Sequence, residues 1–331
     1  MPTRRSFLGA LAATACASAT SRSTPTNPGP PADPGDDAPL DPITSNEDFY
    51  RIFVSPTVPD EAAVAAWELT LATEDGDEEV LTPAAVEAIG GEEQERTLSC
   101  IGGSSSSTVG NALWTATRLD TLLDAVGLTP DARLKWVRFT AFDRYTTCVP
   151  RSDLDAGLAL AWRMNGVALP VSHGAPFRAL VPGRYGMKNP KWIQRIDFIE
   201  ELEAGFWESR GWSQDAEYQV ASWFVAPNAG AEVTPDGAWL KGIAFAGEAG
   251  ISRVDLSDDG GLSWFEAEIT YPGGPGVWTL WRVKWVPPAP GSYTLLVRAT
   301  AADGRVQADL EPYDGDLDGL EALDPRGVTA T

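Results

Sequence analysis

Residues 163–192 read RMNGVALPVSHGAPFRALVPGRYGMKNPKW. The stretch holds the chain's one histidine, His173, followed by Arg178, Arg184, Lys188 and Lys191, with Gly174, Pro182, Gly183, Gly186 and Pro190 between them. Glycine lets backbone amides approach a ligand closely, and proline ends regular elements, so these cations ride on turns. Planar guanidinium beside point-charge ammonium is a pairing suited to phosphate. The stretch reads as an anion site; the plain alternative is an ordinary basic loop.

The rest of the chain makes that cluster stand out. Its 331 residues carry Asp+Glu 47 against Lys+Arg 25, a net charge of −22. A nucleic-acid binder needs a broad basic face to release counterions, so that class is excluded. A chain that is 43% hydrophobic and 9% aromatic is globular and, at this length, fills two domains. A single histidine rules out a two-histidine haem and a multi-histidine zinc or copper centre. Cys16, Cys100 and Cys148 follow no CxxC or CxxCH spacing, which argues against iron–sulfur clusters and c-type haem.

Residues 1–20, MPTRRSFLGALAATACASAT, pair Arg4-Arg5 with a short apolar run and resemble a twin-arginine export leader. The run is too short to span a bilayer. The expected location is periplasmic or otherwise outside the cytoplasm. Cys16 follows Ala13-Thr14-Ala15 in a weak lipoprotein box, so lipid anchoring and simple cleavage both stay open. Residues 21–42 are rich in Pro, Asp, Ser and Gly and read as a disordered linker.

Residues 43–217 mix strand and helix patterns. NEDFYRIFV is a loop carrying Tyr50 and Arg51, and AAWELTLATEDGDEEVL predicts an edge hairpin. LTPAAVEAI predicts a helix capped by Thr82 with Pro83 in its first turn; RLDTLLDAVG predicts another, stopped by Gly127. A strand ends at Cys100, before a Gly/Ser loop. That placement suits a reactive thiol or metal ligand, with a buried thiol or a disulfide to Cys148 as alternatives. Two strands flank Asp143-Arg144, and GFWESRGW brings Trp207 and Trp212 to one loop, read as exposed and pocket-lining. Residues 218–331 are short alternating strands with Asp-Gly and Pro-Gly turns and no helix, an immunoglobulin-like sandwich. It holds Trp223, Trp239, Trp264, Trp278, Trp281 and Trp285, placed in its core or at an interface.

Together SC before a Gly/Ser loop, NALWTATRLDTLLDAVG, LAWRMNGVALPVSHGAPFRALVPGRYGMKNPKWIQRI, GFWESRGW, LSDDGGLSWFEAEI and WTLWRVKW resemble the sulfite oxidase-like molybdenum enzymes over residues 43–315. The resemblance implies an α+β molybdopterin-binding domain followed by an all-β dimerisation sandwich. It implies a molybdenum–molybdopterin cofactor with the Cys100 thiolate as metal ligand. It also implies that Tyr50, Arg51, Asp143, His173, Arg178, Asn189 and Lys191 surround the pterin and its phosphate. Cys148 is then left as a small buried hydrophobe.

The chain departs from sulfite oxidases in three places. They carry an Arg-Asn-His run where FYRIFV supplies Arg51 alone, an arginine where Ser104 to Ser107 stand, and a metal-side tyrosine where Trp212 stands. Sulfite is a small dianion that needs several cations, so a pocket of Trp207, Trp212 and Tyr145 fits a neutral or less charged oxo-acceptor better. With Cys100, Trp212 and Tyr145 are the candidate catalytic residues. The expectation is two-electron oxygen-atom transfer, without haem, with a separate cytochrome or quinone-linked electron carrier and a homodimer through the sandwich. Reduction of an organic oxide such as a sulfoxide is the enzymatic alternative. A metal-free surface binding protein on the same fold is the non-enzymatic one.

Overall fold

The structure, a computed structural model, describes residues 33, 35, 37–103, 105–307, 318, 319 and 323–331. The leader of residues 1–20 with Cys16, most of the linker before residue 37, and Ser104 lie outside the described residues.

The first domain runs α1 (Glu61–Ala65), β1 (Leu69–Thr73), β2 (Glu78–Leu81), α2 (Pro83–Ile89), β3 (Glu92–Ser99), β4 (Val109–Arg118), α3 (Leu119–Val126), β5 (Trp136–Ala141), β6 (Thr146–Pro150), β7 (Ala159–Met164), β8 (Val167–Ala168), β9 (Arg178–Leu180) and β10 (Ile193–Ile199). The helices are 5, 7 and 8 residues long, so the α+β expectation resolves to a mostly β domain with few helices. Thr82 Oγ1 accepts from the Ala85 amide and Pro83 opens the first turn of α2, as its sequence predicts. Gly127 closes α3 in the left-handed region at φ 72°. Val109 to Thr117, for which the sequence reading named no element, and Arg118, read as the start of the next helix, form the long strand β4 pairing with β3 and β7.

One sheet has the order β2-β1-β10-β5-β6, with β1 and β10 parallel; the other is β3-β4-β7-β8, with β9 added on β7. Successive strand residues face opposite sides, which lets β7 serve two cores. Leu160 packs with Leu119, Leu122, Phe139 and Trp192, whereas Ala159 and Ala161 pack with Phe49 and Trp114. Burying a leucine such as Leu122 contributes about 1.5–3 kcal/mol.

The second domain is a sandwich of β11 (Ala221–Ala226), β12 (Ala231–Val233), β13 (Ala238–Phe245), β14 (Ile251–Ser257), β15 (Phe265–Glu266), β16 (Glu268–Tyr271), β17 (Thr279–Trp285), β18 (Gly291–Ala301) and β19 (Asp324–Ala330). Its sheets are β11-β13-β17-β16 and β12-β19-β18-β14-β15. Four of the six tryptophans take the two expected places, whereas Trp239 and Trp264 are half-buried under Arg282 and Arg298. Trp281 and Trp285 fill the sandwich core. Trp223 and Trp278 sit in a seam with Leu40, Ile101, Tyr185, Met187 and Trp212 of the first domain.

Leu40 corrects the linker boundary. It is 3% exposed, and the Pro42 carbonyl accepts from Asn111 Nδ2 at 2.9 Å and Trp278 Nε1 at 3.0 Å. Proline-rich composition forecast the lack of helix or strand there. One apolar side chain and one carbonyl, each with a tertiary partner, are enough to order it.

Candidate cofactor and substrate cleft

The cleft opens between the loop of residues 49–54, the end of β3, the turn after β5, and the stretch that follows β9. Tyr50, Cys100, Asp143, Tyr145, Arg178, Asn189, Lys191, Trp207 and Trp212 all line it, and about 790 Å³ of empty space lies within it, mouth included. Ile52, Phe53, Val54 and Met187 also line it, none of them singled out from sequence. The apolar run IFV after Tyr50-Arg51 was the available hint.

Cys100 stands just beyond β3, 8% exposed. Its amide donates to Thr108 O and its carbonyl accepts from the Gly103 amide, both at 3.0 Å, so the turn forms without the sulfur. Cys148 is a free thiol, 1% exposed, on β6, which removes the Cys100–Cys148 disulfide alternative. Burial pushes the Cys148 thiol up to about 11. That burial fits a small hydrophobe rather than a nucleophile. The serine loop turns toward the second domain: Ser106 Oγ donates to Phe224 O at 3.1 Å.

Arg178 and Lys191 face each other as bridge partners, packed over Gly174. A Cβ on Gly174 would lie 3.0 Å from the Arg178 Cβ and 3.1 Å from the Lys191 Cβ, and the residue has φ 121°. That glycine sets the spacing of the two cations. Arg178 is 5% exposed, donates to His173 O at 3.2 Å and Asn189 O at 3.3 Å, and leaves Nε buried without a hydrogen-bond partner. Burial lowers its guanidinium to about 10. Loss of hydration, then the Arg178 charge, push the Lys191 ammonium down to about 7. Neither cation has a carboxylate within ion-pair distance among the described residues. Trp114 lies under Arg178, and Phe53 and Trp192 lie beside Lys191. Two desolvated cations without a counter-anion are costly unless a ligand supplies one.

The other two cations of the opening stretch are not part of this arrangement. Arg184 makes a two-point contact with Asp153, at 2.6 and 3.1 Å, and Lys188 pairs with Glu208. They are internal ion pairs, so the anion site is narrower than the sequence reads.

Three expected ligand contacts are also redefined. Asn189 donates to the Arg184 and Tyr185 carbonyls and accepts from the Val181 amide, so its side chain ties the loop together. Its own carbonyl is what meets Arg178. His173 is 1% exposed and lies behind the cleft lining, with Nε2 2.7 Å from Asn46 O. Burial first, with Arg178, Lys191 and Arg51 adding to it, lowers its imidazole to about 4. It is a neutral donor that fixes the chain entering Tyr50. Arg51 donates to Glu47 O at 2.6 Å and is not among the lining residues. Asp143 does line the cleft; burial raises its carboxyl, and it accepts from the Tyr145 amide at 3.1 Å. The Tyr145 hydroxyl donates to Met187 O at 2.7 Å. Trp207 and Trp212 pack edge-on at 5.9 Å, and Trp212 is 7% exposed, buried in the seam where the sequence placed an exposed loop residue.

The His173 environment has a measurable consequence. Its folded-state value lies below the 6.5 of an unfolded histidine, so the contribution is present above pH 6.5 and is lost as pH falls toward about 4. The loss is about 3 kcal/mol, at 1.36 kcal/mol per unit. Denaturant titrations across that window should show this slope in the wild type and its absence in His173→Gln. Equal slopes would contradict it.

A buried guanidinium with an orphaned donor, an adjacent ammonium and a thiol in the lining suit an anionic cofactor whose metal takes a thiolate ligand. Residues 55–207 match the family described as oxidoreductase molybdopterin binding domain, and residues 213–312 the Mo-co oxidoreductase dimerisation domain. The chain is 32% identical over 202 residues to a sulfite oxidase of Arabidopsis thaliana, covering 51% of each protein. It is 30% identical over 193 residues to the mitochondrial sulfite oxidase of Mus musculus, covering 51% of this chain and 35% of that one. An NADPH nitrate reductase of Phytophthora infestans is 28% identical over 204 residues, covering 50% of this chain and 22% of the reductase. The chain thus spans about half the length of the plant relative and about a third of the mouse one. The crystal structure of the sulfane dehydrogenase SoxCD from Paracoccus pantotrophus shares the fold, with TM-score 0.70, 21% identity, and coverage of 81% of this chain and 75% of that one. The chain belongs to the sulfite oxidase-like molybdopterin oxidoreductases.

Proposed function

We propose that this chain is an exported molybdopterin enzyme that transfers an oxygen atom in a two-electron step to or from a neutral or weakly charged substrate. The observation that carries the reading is the sorting of charge in the cleft. Its two lining cations, Arg178 and Lys191, stand together over Gly174, whereas the wall of Tyr145, Trp207 and Trp212 bears none. In this reading Arg178 and Lys191 hold the cofactor's phosphate, the Tyr50 loop held by His173 covers it, and Cys100 ligates the metal. When bound, the molybdenum centre supplies the redox change and the transferable oxygen. The protein binds, orients and excludes water.

A sulfite dianion facing the aromatic wall would lose hydration with few new cations to replace it. A substrate with one polar oxygen and an apolar body would bury its body against Trp207 and Trp212. Reduction of an organic oxide stays as a second reading, because the relatives' names include both an oxidase and a reductase. Electrons pass to a separate carrier, a cytochrome or quinone-linked protein, since one histidine cannot ligate a haem from both sides. The sandwich pairs two copies, and the Arg4-Arg5 leader fits loading of the cofactor before export.

Protein exported through its own leader is expected to contain molybdenum. It should turn over neutral sulfoxides or their thioether partners, with artificial carriers, with kcat/KM at least about tenfold above that for sulfite. Absence of molybdenum would sink the enzymatic reading in favour of a binding protein, and a preference for sulfite would sink the substrate assignment.

A further inference from the structure

The Lys188–Glu208 pair is the most deeply buried ion pair among the described residues, with side chains 1% and 2% exposed. It joins two walls of the cleft. Lys188 closes the 3-10 turn Gly186–Lys188, between the lining residues Met187 and Asn189. Glu208 opens the 3-10 turn Glu208–Arg210, directly after Trp207 and four residues before Trp212.

The anchoring is dense. Glu208 Oε1 accepts from Lys188 Nζ and, at 2.6 Å, from Thr147 Oγ1; Lys188 Nζ donates again to Cys148 O at 2.9 Å. Next to it, the Phe206 amide donates to Thr146 O at 2.9 Å. The Lys188 turn is therefore pinned to Cys148 and the Glu208 turn to Thr146 and Thr147, three consecutive residues of β6.

This pair does not have the form of a contact kept for stability alone. Glu208 Oε2 is buried without a hydrogen-bond partner, and a Cβ on Gly205 would lie 2.6 Å from it. Leaving a carboxylate oxygen unsatisfied costs free energy, and a well-packed apolar pair of similar volume commonly replaces a buried ion pair without loss. What an apolar pair lacks is direction. The ion pair fixes where the aromatic turn sits relative to the cation-bearing turn to within one hydrogen-bond geometry.

We infer that Lys188 and Glu208 are positioning residues: they hold the Trp207–Trp212 wall at a set distance from Lys191 and Arg178, and thereby set which substrate bodies fit. The effect on substrates rests on the reading of this wall as the substrate side. The positioning itself does not.

The test labels the full-length protein with 5-fluorotryptophan and assigns the Trp207 and Trp212 resonances by Trp207→Phe and Trp212→Phe. Glu208→Gln, Lys188→Met and the double variant, which removes both charges and guards against a single variant that fails to fold, are compared with wild type. The expected result is displaced or broadened Trp207 and Trp212 signals, unchanged Trp281 and Trp285 signals, and wild-type molybdenum content. For loaded enzyme, kcat/KM for the largest accepted substrate should fall by up to about 100-fold, chiefly through KM, with the smallest little affected. Unmoved Trp207 and Trp212 signals in a folded double variant would overturn the inference. So would an equal fall in kcat/KM for substrates of every size. If wild-type protein turns over no neutral oxide, the proposed function fails while the fluorine spectra still decide the positioning.

Discussion

Cys100→Ser protein is expected to fold, to melt within a few degrees of wild type, to carry less molybdenum and to lose most of its turnover. The turn at residue 100 is closed by backbone hydrogen bonds, from the Cys100 amide to Thr108 O and from the Gly103 amide to Cys100 O, which serine keeps. The metal has much to lose, because a serine hydroxyl stays protonated and offers a hard oxygen where a soft thiolate belongs. Removing groups only adjacent to a metal ligand commonly costs 10–100-fold, so turnover should fall by more than about 100-fold here. Cys148→Ser is the control. Its thiol is buried and pushed up to about 11, so the variant should keep its metal and lose about 1–3 kcal/mol of stability from the buried hydroxyl. Metal content by mass spectrometry and denaturant unfolding measure both. Full molybdenum content together with full activity in Cys100→Ser would refute the ligand assignment.

Arg178→Met is expected to move stability and ligand binding in opposite directions. In the cofactor-free protein the guanidinium is a buried charge with two carbonyl contacts, an orphaned Nε and no carboxylate partner. Methionine fills much of the same volume without that desolvation cost, so the apo variant should be at least as stable as wild type. The same change should weaken an anion in the cleft by about 2–5 kcal/mol, the loss seen when one partner of a buried charged pair is removed. Sulfate serves as the probe, through its stabilisation of the apo protein against urea. A variant that is strongly destabilised yet responds to sulfate like wild type would show Arg178 to be a structural residue.

Much of this architecture was legible because period and punctuation are local. The β1–β2 hairpin, the Thr82 cap of α2, the Gly127 stop of α3 and the turn at Asp143-Arg144 follow from neighbours in the chain. The site was legible in its residue types and only partly in their roles. Arg184 and Lys188 look like Arg178 and Lys191 in sequence, but their partners Asp153 and Glu208 lie 31 and 20 residues away. Nothing local distinguishes a cation with a distant carboxylate from one without. Asn189 and His173 were expected to surround the cofactor, and the backbone groups that engage their side chains come from turns whose geometry is tertiary. Trp212 was read as exposed because the second domain that covers it is a separate stretch of pattern.

The Pro42 carbonyl, gripped by Asn111 on one side and Trp278 on the other, has a mechanical consequence. Tension applied through the N-terminal chain, as by a surface tether, is delivered to the seam and shared by both halves. Lys241 and Arg282 of the second domain, which hold Asp33, Gly35 and Asp37, would take the load first, and β4 would feel it through Asn111 only after they let go.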